Sequence, residues 1–301
     1  MTMGDAHTVN ANKAYFNKLA AEYDTRYEKT TLQLEREIRK RKDFIGANWV
    51  VDEDEDEDED GNDDDSEDGP ATAQAPPPPP GADTKRVRLL DYACGTGLIS
   101  RALAQFTTHC VGIDISENMV AAYNARAENQ GLSTDEMHAY QGDLTDPSDP
   151  DPSAFSASSD ADGRFHDFDV AGVGLGFHHF ADPELSARRI VERLRPGGVF
   201  VILDFLPHGA TDAALPAANT VVHHGFSRER MRAVFEQAGA SRDFAMEEIG
   251  SGVVFGGHGH GHGHNHGHKH GDSHGHGHGH SHGEGKEGMK RRVFIARGTK
   301  M

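Results

Sequence analysis

The tightest constraint in this 301-residue chain is the stretch from Val87 to Ser100. Val87-Arg88-Leu89-Leu90-Asp91-Tyr92-Ala93-Cys94-Gly95-Thr96-Gly97 is an apolar run that closes on an acid and then on a Gly-x-Gly turn, followed by helix formers. That order reads as strand, tight loop, helix. Cys110-Val111-Gly112-Ile113-Asp114 is a second short apolar run closing on an acid, placed where a βαβ unit puts its next parallel strand. Asp91 and Asp114 are therefore expected at one edge of a parallel sheet.

Such an edge is suited to holding a nucleoside. Gly95 and Gly97 lack a β-carbon, so the backbone can turn sharply and let a ligand approach the following helix N-terminus. Asp114, about twenty residues beyond the loop, stands where an acid accepts hydrogen bonds from ribose hydroxyls. A dinucleotide dehydrogenase would place a third glycine at position 100, to bring helix and strand together beneath the pyrophosphate. Ser100 stands there instead. Asp91 would also repel a pyrophosphate, whereas it suits a ligand carrying an amine and a sulfonium.

Asp91-Tyr92-Ala93-Cys94-Gly95-Thr96-Gly97 resembles the first motif of the class I S-adenosylmethionine-dependent methyltransferases. Gln141-Gly142-Asp143-Leu144 resembles the family's adenine-contacting turn, and Leu194-Arg195-Pro196-Gly197-Gly198 resembles its turn into the fifth strand. The resemblance runs from about Asn12 to the C-terminus, three low-complexity stretches apart. It implies a Rossmann-like α/β fold: a seven-stranded, mostly parallel sheet with helices on both faces and a C-terminal antiparallel hairpin. It also implies S-adenosylmethionine as cofactor, held by Asp91, Ala93, Gly95, Gly97, Asp114, Ile115, Met119, Asp143, Leu144 and Gly174.

Composition divides the chain. Asp52–Asp60 is an unbroken acidic run and Asp63–Asp68 adds five more acids, so 14 of the 49 acidic residues lie in one tract. Setting them aside leaves −5 of the formal charge of −19. The acidity belongs to that tract, and the nearly balanced remainder has no broad basic footprint for nucleic acid. Residues 52–84, ending in the Pro76–Pro80 run, read as a disordered linker. Residues 1–51 precede it as N-terminal cap helices, and the resemblance implies that 85–301 form the methyltransferase domain. Two cysteines, Cys94 and Cys110, cannot build a disulfide framework and fit a reducing compartment. With no signal-like N-terminus and no membrane-length apolar run, the expected location is cytoplasmic, with the nucleus open.

Within the cap, Phe16, Leu19 and Tyr23 recur at helical spacing, as do Leu32, Leu34, Ile38 and Phe44 more loosely, so 12–49 reads as helical. In the family, such a segment partly covers the cofactor, which Tyr15, Phe16 and Tyr23 could then touch. Docking the helix on the domain accounts for each ring equally well. Further on, Leu98–Phe106 and Asn118–Asn129 read as helices, the second with Ser116 as N-cap and Gly131 as C-cap. Met137–Gln141 is a short strand, 147–163 an exposed loop, and Phe168–Leu175 a fourth strand. Asp182-Pro183-Glu184 starts a helix that runs to Leu194. The fifth strand ends at Asp204, and Phe226 with Met231 staples the helix opened at Ser227. Ala245–Phe255 and Arg292–Ala296 are the last two strands.

Methyl transfer from a sulfonium is an in-line displacement, so a protein mainly holds the reactants in line and excludes water. An acceptor of high pKa also needs a base within hydrogen-bond reach. Phe177-His178-His179-Phe180 lies just beyond the fourth strand, and imidazole takes a proton near neutral pH. His178 or His179 is the first choice for base or acceptor-orienting group, and His223 or His224 the second. Adjacent histidines that merely tie a loop to backbone carbonyls are the competing account. No Asn/Asp-Pro-Pro-aromatic segment follows this strand, which argues against amide or exocyclic nitrogen as acceptor. The quinone-biosynthesis type of methyltransferase, which the chain most resembles, implies an oxygen or carbon of a small molecule.

Residues 256–288 hold 12 of the 21 histidines, mostly alternating with glycine, and read as a disordered insertion between the last two strands. His258, His260, His262, His264, His266 and His268 could gather weakly around Zn²⁺, Ni²⁺ or Cu²⁺, in competition with protons. A fixed catalytic metal is not expected, because a flexible loop supplies no outer shell to orient its ligands. Two alternatives remain at this point: a metal-handling protein on a methyltransferase scaffold, and a protein methyltransferase recruited through the acidic tract.

Overall fold

Period-two alternation along the first strands puts Leu90, Tyr92, Val111 and Ile113 on one face of a sheet and Val87, Leu89 and Cys110 on the other. A computed structural model shows both faces buried. It describes residues 3–50, 85–146, 163–211, 217–255 and 289–301, together with 149, 152, 155 and 156. The acidic and proline-rich tract and the histidine-rich tract lie outside the described residues.

The strands are β1 (Arg88–Tyr92), β2 (His109–Asp114), β3 (Met137–Gln141), β4 (Phe168–Gly174), β5 (Leu194–Phe205), β6 (Arg242–Phe255) and β7 (Met289–Thr299). They form one seven-stranded sheet in the order β3-β2-β1-β4-β5-β7-β6. All neighbours are parallel except β7, which pairs antiparallel with both β5 and β6. The chain winds outward from β1 in one direction and from β4 in the other. The switch point between these two strands is where an open α/β sheet leaves a crevice at its carboxyl edge.

The helices are α1 (Met3–Arg39), α2 (Lys42–Ile45), α3 (Leu98–Leu103), α4 (Glu117–Asn129), α5 (Pro183–Glu192) and α6 (Arg228–Ala238). Ile190 and Val191 of α5 with Met231, Val234 and Phe235 of α6 bury against the Leu90 face. Ile99, Ala102 and Leu103 of α3, Tyr123 and Ala127 of α4, and Leu34 and Ile38 of α1 bury against the Leu89 face. Each such Leu, Ile or Phe contributes about 1.5–3 kcal/mol of transfer free energy.

The caps follow local chemistry. Ser116 accepts from Met119 N, Asp182 from Leu185 N, and Ser227 from Arg230 N. Phe226 and Met231 are both buried in one cluster, as a hydrophobic staple requires. Several boundaries differ from the sequence expectation. α1 begins at Met3, well before Asn12, and is one helix of 37 residues, about 55 Å long. Leu32 is left exposed on it. Leu194 pairs with Phe168 and so belongs to β5, not to α5. The cap of α4 is Gln130, with Gly131 following at φ +76°. β6 and β7 start at Arg242 and Met289, three residues earlier than expected in each case, because the pairing register extends that far.

Gly112 marks a close approach between strands. A β-carbon there would lie 2.9 Å from both the Ala139 β-carbon and Cys94 Sγ. Gly112→Ala should therefore lower unfolding stability by about 1–3 kcal/mol, read as a lower denaturant midpoint with unchanged slope.

Candidate functional site

The loop after β1 is shaped by positive φ. Ala93, Gly95 and Gly97 stand at +53°, +51° and +94°, a region where only glycine is unstrained. Leu175, just after β4, has φ +58°. Two non-glycine residues held in this conformation side by side, at the switch point, are backbone strain of the kind that collects at functional sites. A β-carbon on Gly176 would come within 3.0 Å of the Ala93 β-carbon, so the two turns touch.

Asp91 holds this loop from below. Its Oδ2 accepts from Ser100 N and from Ser100 Oγ, both at 2.9 Å. Tyr123 Oη donates to the same Ser100 Oγ at 2.7 Å. The sequence reading aimed the Asp91 charge at a ligand. The structure turns it inward, 1 % exposed, where it fixes the start of α3. Burial pushes its pKa up to about 7, against the lowering effect of the Ser100 donors.

Above the loop lies a cavity of about 180 Å³, bounded by Ala93, Gly95, Thr96, Asp114, Ile115, Met119, Asp143, Thr145 and Gly174, and roofed by α1 through Asn12, Phe16 and Tyr23. Asp114 closes β2 with Oδ2 accepting from Gly95 N at 2.9 Å and Oδ1 from Ser116 N at 2.8 Å. Burial raises its pKa. Asp143 Oδ1 accepts from Tyr92 Oη, Thr145 N and Thr145 Oγ1 at 2.7–3.0 Å. Its Oδ2 is left for a ligand among the described residues. Of the other residues expected to touch a cofactor, Gly97 shapes the loop as the N-cap of α3. Leu144 is packed in the core, its N–H donating to Tyr92 Oη. Neither lines the cavity.

The roof is pinned by polar contacts. Thr96 Oγ1 donates to Asp24 Oδ1 at 2.7 Å, and Arg126 pairs with the other oxygen of Asp24. Asn17 Oδ1 accepts from Ser116 Oγ at 2.6 Å. Asn12 donates from Nδ2 to the His179 carbonyl at 3.2 Å, while its Oδ1, buried and without a partner, borders the cavity. An orphan carbonyl oxygen in a wall is a waiting acceptor. Together with Asp114 and Asp143 it fits a nucleoside with a cationic tail, as S-adenosylmethionine is. Nothing in the sequence around Asn12 distinguished it.

A second cavity of about 150 Å³ shares Phe16, Tyr23, Tyr27, Leu175 and His179 with the first. Tyr15 lines this one and not the first. Burial raises the pKa of the Tyr15 and Tyr23 phenols, so both stay protonated. His178 stands in its wall, with Nδ1 2.8 Å from Asp204 Oδ1. Asp204 is fully buried and also accepts from His178 N at 3.0 Å. An ionised Asp204 draws the imidazole proton to Nδ1, which leaves Nε2 as a proton acceptor.

The other histidines are placed differently. His179 Nδ1 donates to Thr220 O at 2.7 Å, and burial, with the neighbouring His178, lowers its pKa to about 3. It can accept a hydrogen bond but is too weak a base to hold a proton near neutrality. His223 Nε2 donates to Phe180 O at 3.0 Å, and His224 is exposed. Both stand outside the two cavities, and His223 ties its loop to a carbonyl. Asp204 carried the same signal as Asp91 and Asp114, an acid closing an apolar strand, but the sequence reading gave it no role. Among the described residues no group of His, Cys, Asp and Glu could hold a metal ion. His258 through His268 lie outside them.

A family profile described as "Methyltransferase domain" matches residues 83–239, just over half of the chain. The chain belongs to the class I S-adenosylmethionine-dependent methyltransferase family. It is 29 % identical over 159 residues to an uncharacterized methyltransferase of Schizosaccharomyces pombe, 51 % of this chain and 53 % of that one. It is 30 % identical over 119 residues to a demethylmenaquinone methyltransferase of Clavibacter sepedonicus, 39 % and 41 % of the two chains. It is 26 % identical over 118 residues to a ubiquinone biosynthesis O-methyltransferase of Azorhizobium caulinodans, 39 % and 40 %. The chain spans about half the length of the curated relatives it matches, or somewhat less. Among solved structures, the YcgJ protein of Bacillus subtilis matches with a TM-score of 0.47 at 14 % identity, covering 71 % of this chain and 92 % of that one.

Two outcomes follow from the methyltransferase geometry. Asp114→Ala should weaken S-adenosylhomocysteine binding by roughly tenfold or more in titration calorimetry, the size of a lost charge-assisted hydrogen bond. For Asp91 the folded pKa of about 7 exceeds the ordinary 3.8, so the unfolded chain releases this proton first as pH rises. Its contribution to stability therefore falls between about pH 4 and 7. Asp91→Asn should gain stability relative to the parent across that window, read from denaturant unfolding at a series of pH values.

Proposed function

We propose that this methyltransferase moves a methyl group from S-adenosylmethionine in the first cavity to an oxygen or carbon of a small-molecule acceptor in the second. The observation that carries this reading is the pair of adjoining cavities. They share one wall at the switch point, and a histidine backed by a buried carboxylate faces the second. The demethylmenaquinone and ubiquinone-biosynthesis enzymes among the relatives support a small, ring-bearing acceptor.

When bound, S-adenosylmethionine supplies a methyl carbon activated by the attached sulfonium. The chain's own residues do the rest by placement. Asp114 accepts from the ribose, Asp143 Oδ2 from the adenine amine, and Asn12 Oδ1 from the ammonium of the tail. The αL turns at Ala93 and Leu175 keep the backbone clear of the ligand, and α1 closes over both cavities and excludes water. For an oxygen acceptor, His178 Nε2 takes the hydroxyl proton while Asp204 stabilises the resulting imidazolium. His179, with its depressed pKa, serves as a neutral hydrogen-bond partner. Asp91, Gly97 and Leu144 hold the loop and turn that the ligand meets. The two cysteines, both free and buried, support a reducing location, cytoplasmic with the nucleus open. No described helix is long and apolar enough to cross a membrane.

The test is a cell-extract assay with isotopically labelled methyl donor and mass spectrometry of the product. A labelled small molecule formed by the parent protein is expected, and label appearing only in protein would overturn the acceptor class. With that acceptor in hand, His178→Gln should lower kcat by about a hundredfold or more, the range of general-base catalysis. Asp204→Asn should lower kcat less and displace the pH profile. Binding of S-adenosylhomocysteine should persist in both variants.

A further inference from the structure

The second cavity carries one feature that the transfer reaction alone does not require. Arg291 stands in its wall near the start of β7. β7 runs antiparallel to β5, with Phe205 opposite Val293, so Arg291 lies past the carboxyl end of β5. It is therefore at the sheet edge that also holds Asp204 and His178. Period-two alternation sends the next side chain to the other face, where Arg292 pairs with Glu248 in the open. The Arg291 side chain, half-buried, makes no hydrogen bond or ion pair with any described residue. Burial works against its charge. The described lining of this cavity includes no carboxylate, and Tyr15, Phe16, Tyr23 and Phe205 supply rings.

An unpaired guanidinium in a largely aromatic cavity is an anion receptor in waiting, because its planar fork matches carboxylate or phosphate. A volume of about 150 Å³ is on the scale that accepts a single benzene ring. We propose that the acceptor is a small aromatic hydroxy compound bearing an anionic group, which Arg291 binds while the ring hydroxyl faces His178. This rests on the two-cavity reading above and names the substrate class of the same site. In the step, the hydroxyl proton passes to His178 Nε2 and the oxygen forms the new O–CH₃ bond. The S–CH₃ bond breaks with its electron pair left on sulfur, giving a neutral thioether, and the proton on His178 returns to solvent. Arg291 holds the anion throughout, so the acceptor's charge and its reacting oxygen are fixed at opposite ends of one ring.

The test uses the full chain saturated with S-adenosylhomocysteine and three anionic probes: para-hydroxyphenylacetate, para-hydroxyphenylpropanoate and para-hydroxyphenyl phosphate. Neutral para-hydroxyphenylacetamide is the matched control. Calorimetry should show at least one acid binding roughly tenfold or more tightly than the amide, the worth of one charge-assisted contact. The two carboxylates against the phosphate decide which anion is preferred. Arg291→Gln should erase that preference, and Arg291→Lys should restore part of it. Affinity for S-adenosylhomocysteine should stay within about twofold in both variants, since it binds in the other cavity, and this reports that they fold. Equal binding of acids and amide, a preference that survives Arg291→Gln, or no binding of any acid at about millimolar concentration would each overturn the proposal. Failure of the parent to bind S-adenosylhomocysteine would instead remove the two-cavity reading beneath it.

Discussion

Asp91 sits where burial works against a charge, and the two donors of Ser100 are what keep it there. The carboxylate ties the end of β1 to the start of α3, so the loop between them cannot relax out of its left-handed turns. Those turns set the floor of the first cavity and, through the contact of Ala93 with Gly176, the position of the β4 turn. The β4 turn in turn delivers His178 and His179 to the cavity wall. A single hydrogen-bonded clamp beneath the sheet edge thus aligns both halves of the site. Ser100, which set this chain apart from the glycine pattern of dehydrogenases, is the residue that makes the clamp.

The strand-and-loop frame was legible in the sequence because it is local. An apolar run, an acid and a Gly-x-Gly turn constrain only adjacent residues, and β1, β2 and the helices capped by Ser116, Asp182 and Ser227 follow from them directly. What a side chain at a strand end points toward is not local. Asp91, Asp114 and Asp204 all close apolar strands, yet one clamps a helix, one borders a ligand cavity and one orients a histidine. The difference arises from which strand lies beside each and which helix covers it, and that is settled by long-range pairing. Asn12 and Arg291 were invisible for the same reason, since each gains its meaning from elements far away in sequence.

The four histidines show how context divides one chemistry into several. His178 faces a buried carboxylate that fixes its tautomer and would stabilise its charge. His179, one residue on, faces a carbonyl and a second imidazole, which depress its proton affinity. His223 is spent on a loop carbonyl, and His224 is in the open. Adjacent identical residues on a short helical turn lie ring against ring, their centroids 4.0 Å apart, yet the acid at the end of the neighbouring strand hydrogen-bonds only one of them.

A last consequence concerns the long first helix. Phe16 and Tyr23 belong to the walls of both chambers, so one ceiling covers them both. Whichever molecule arrives first and draws that ceiling down leaves less ordering to be done for the second. The gain is the same in either order of arrival, because such linkage is reciprocal. On the proposed assignment, the two reactants would therefore strengthen one another's hold while still apart, through a beam that both of them prop.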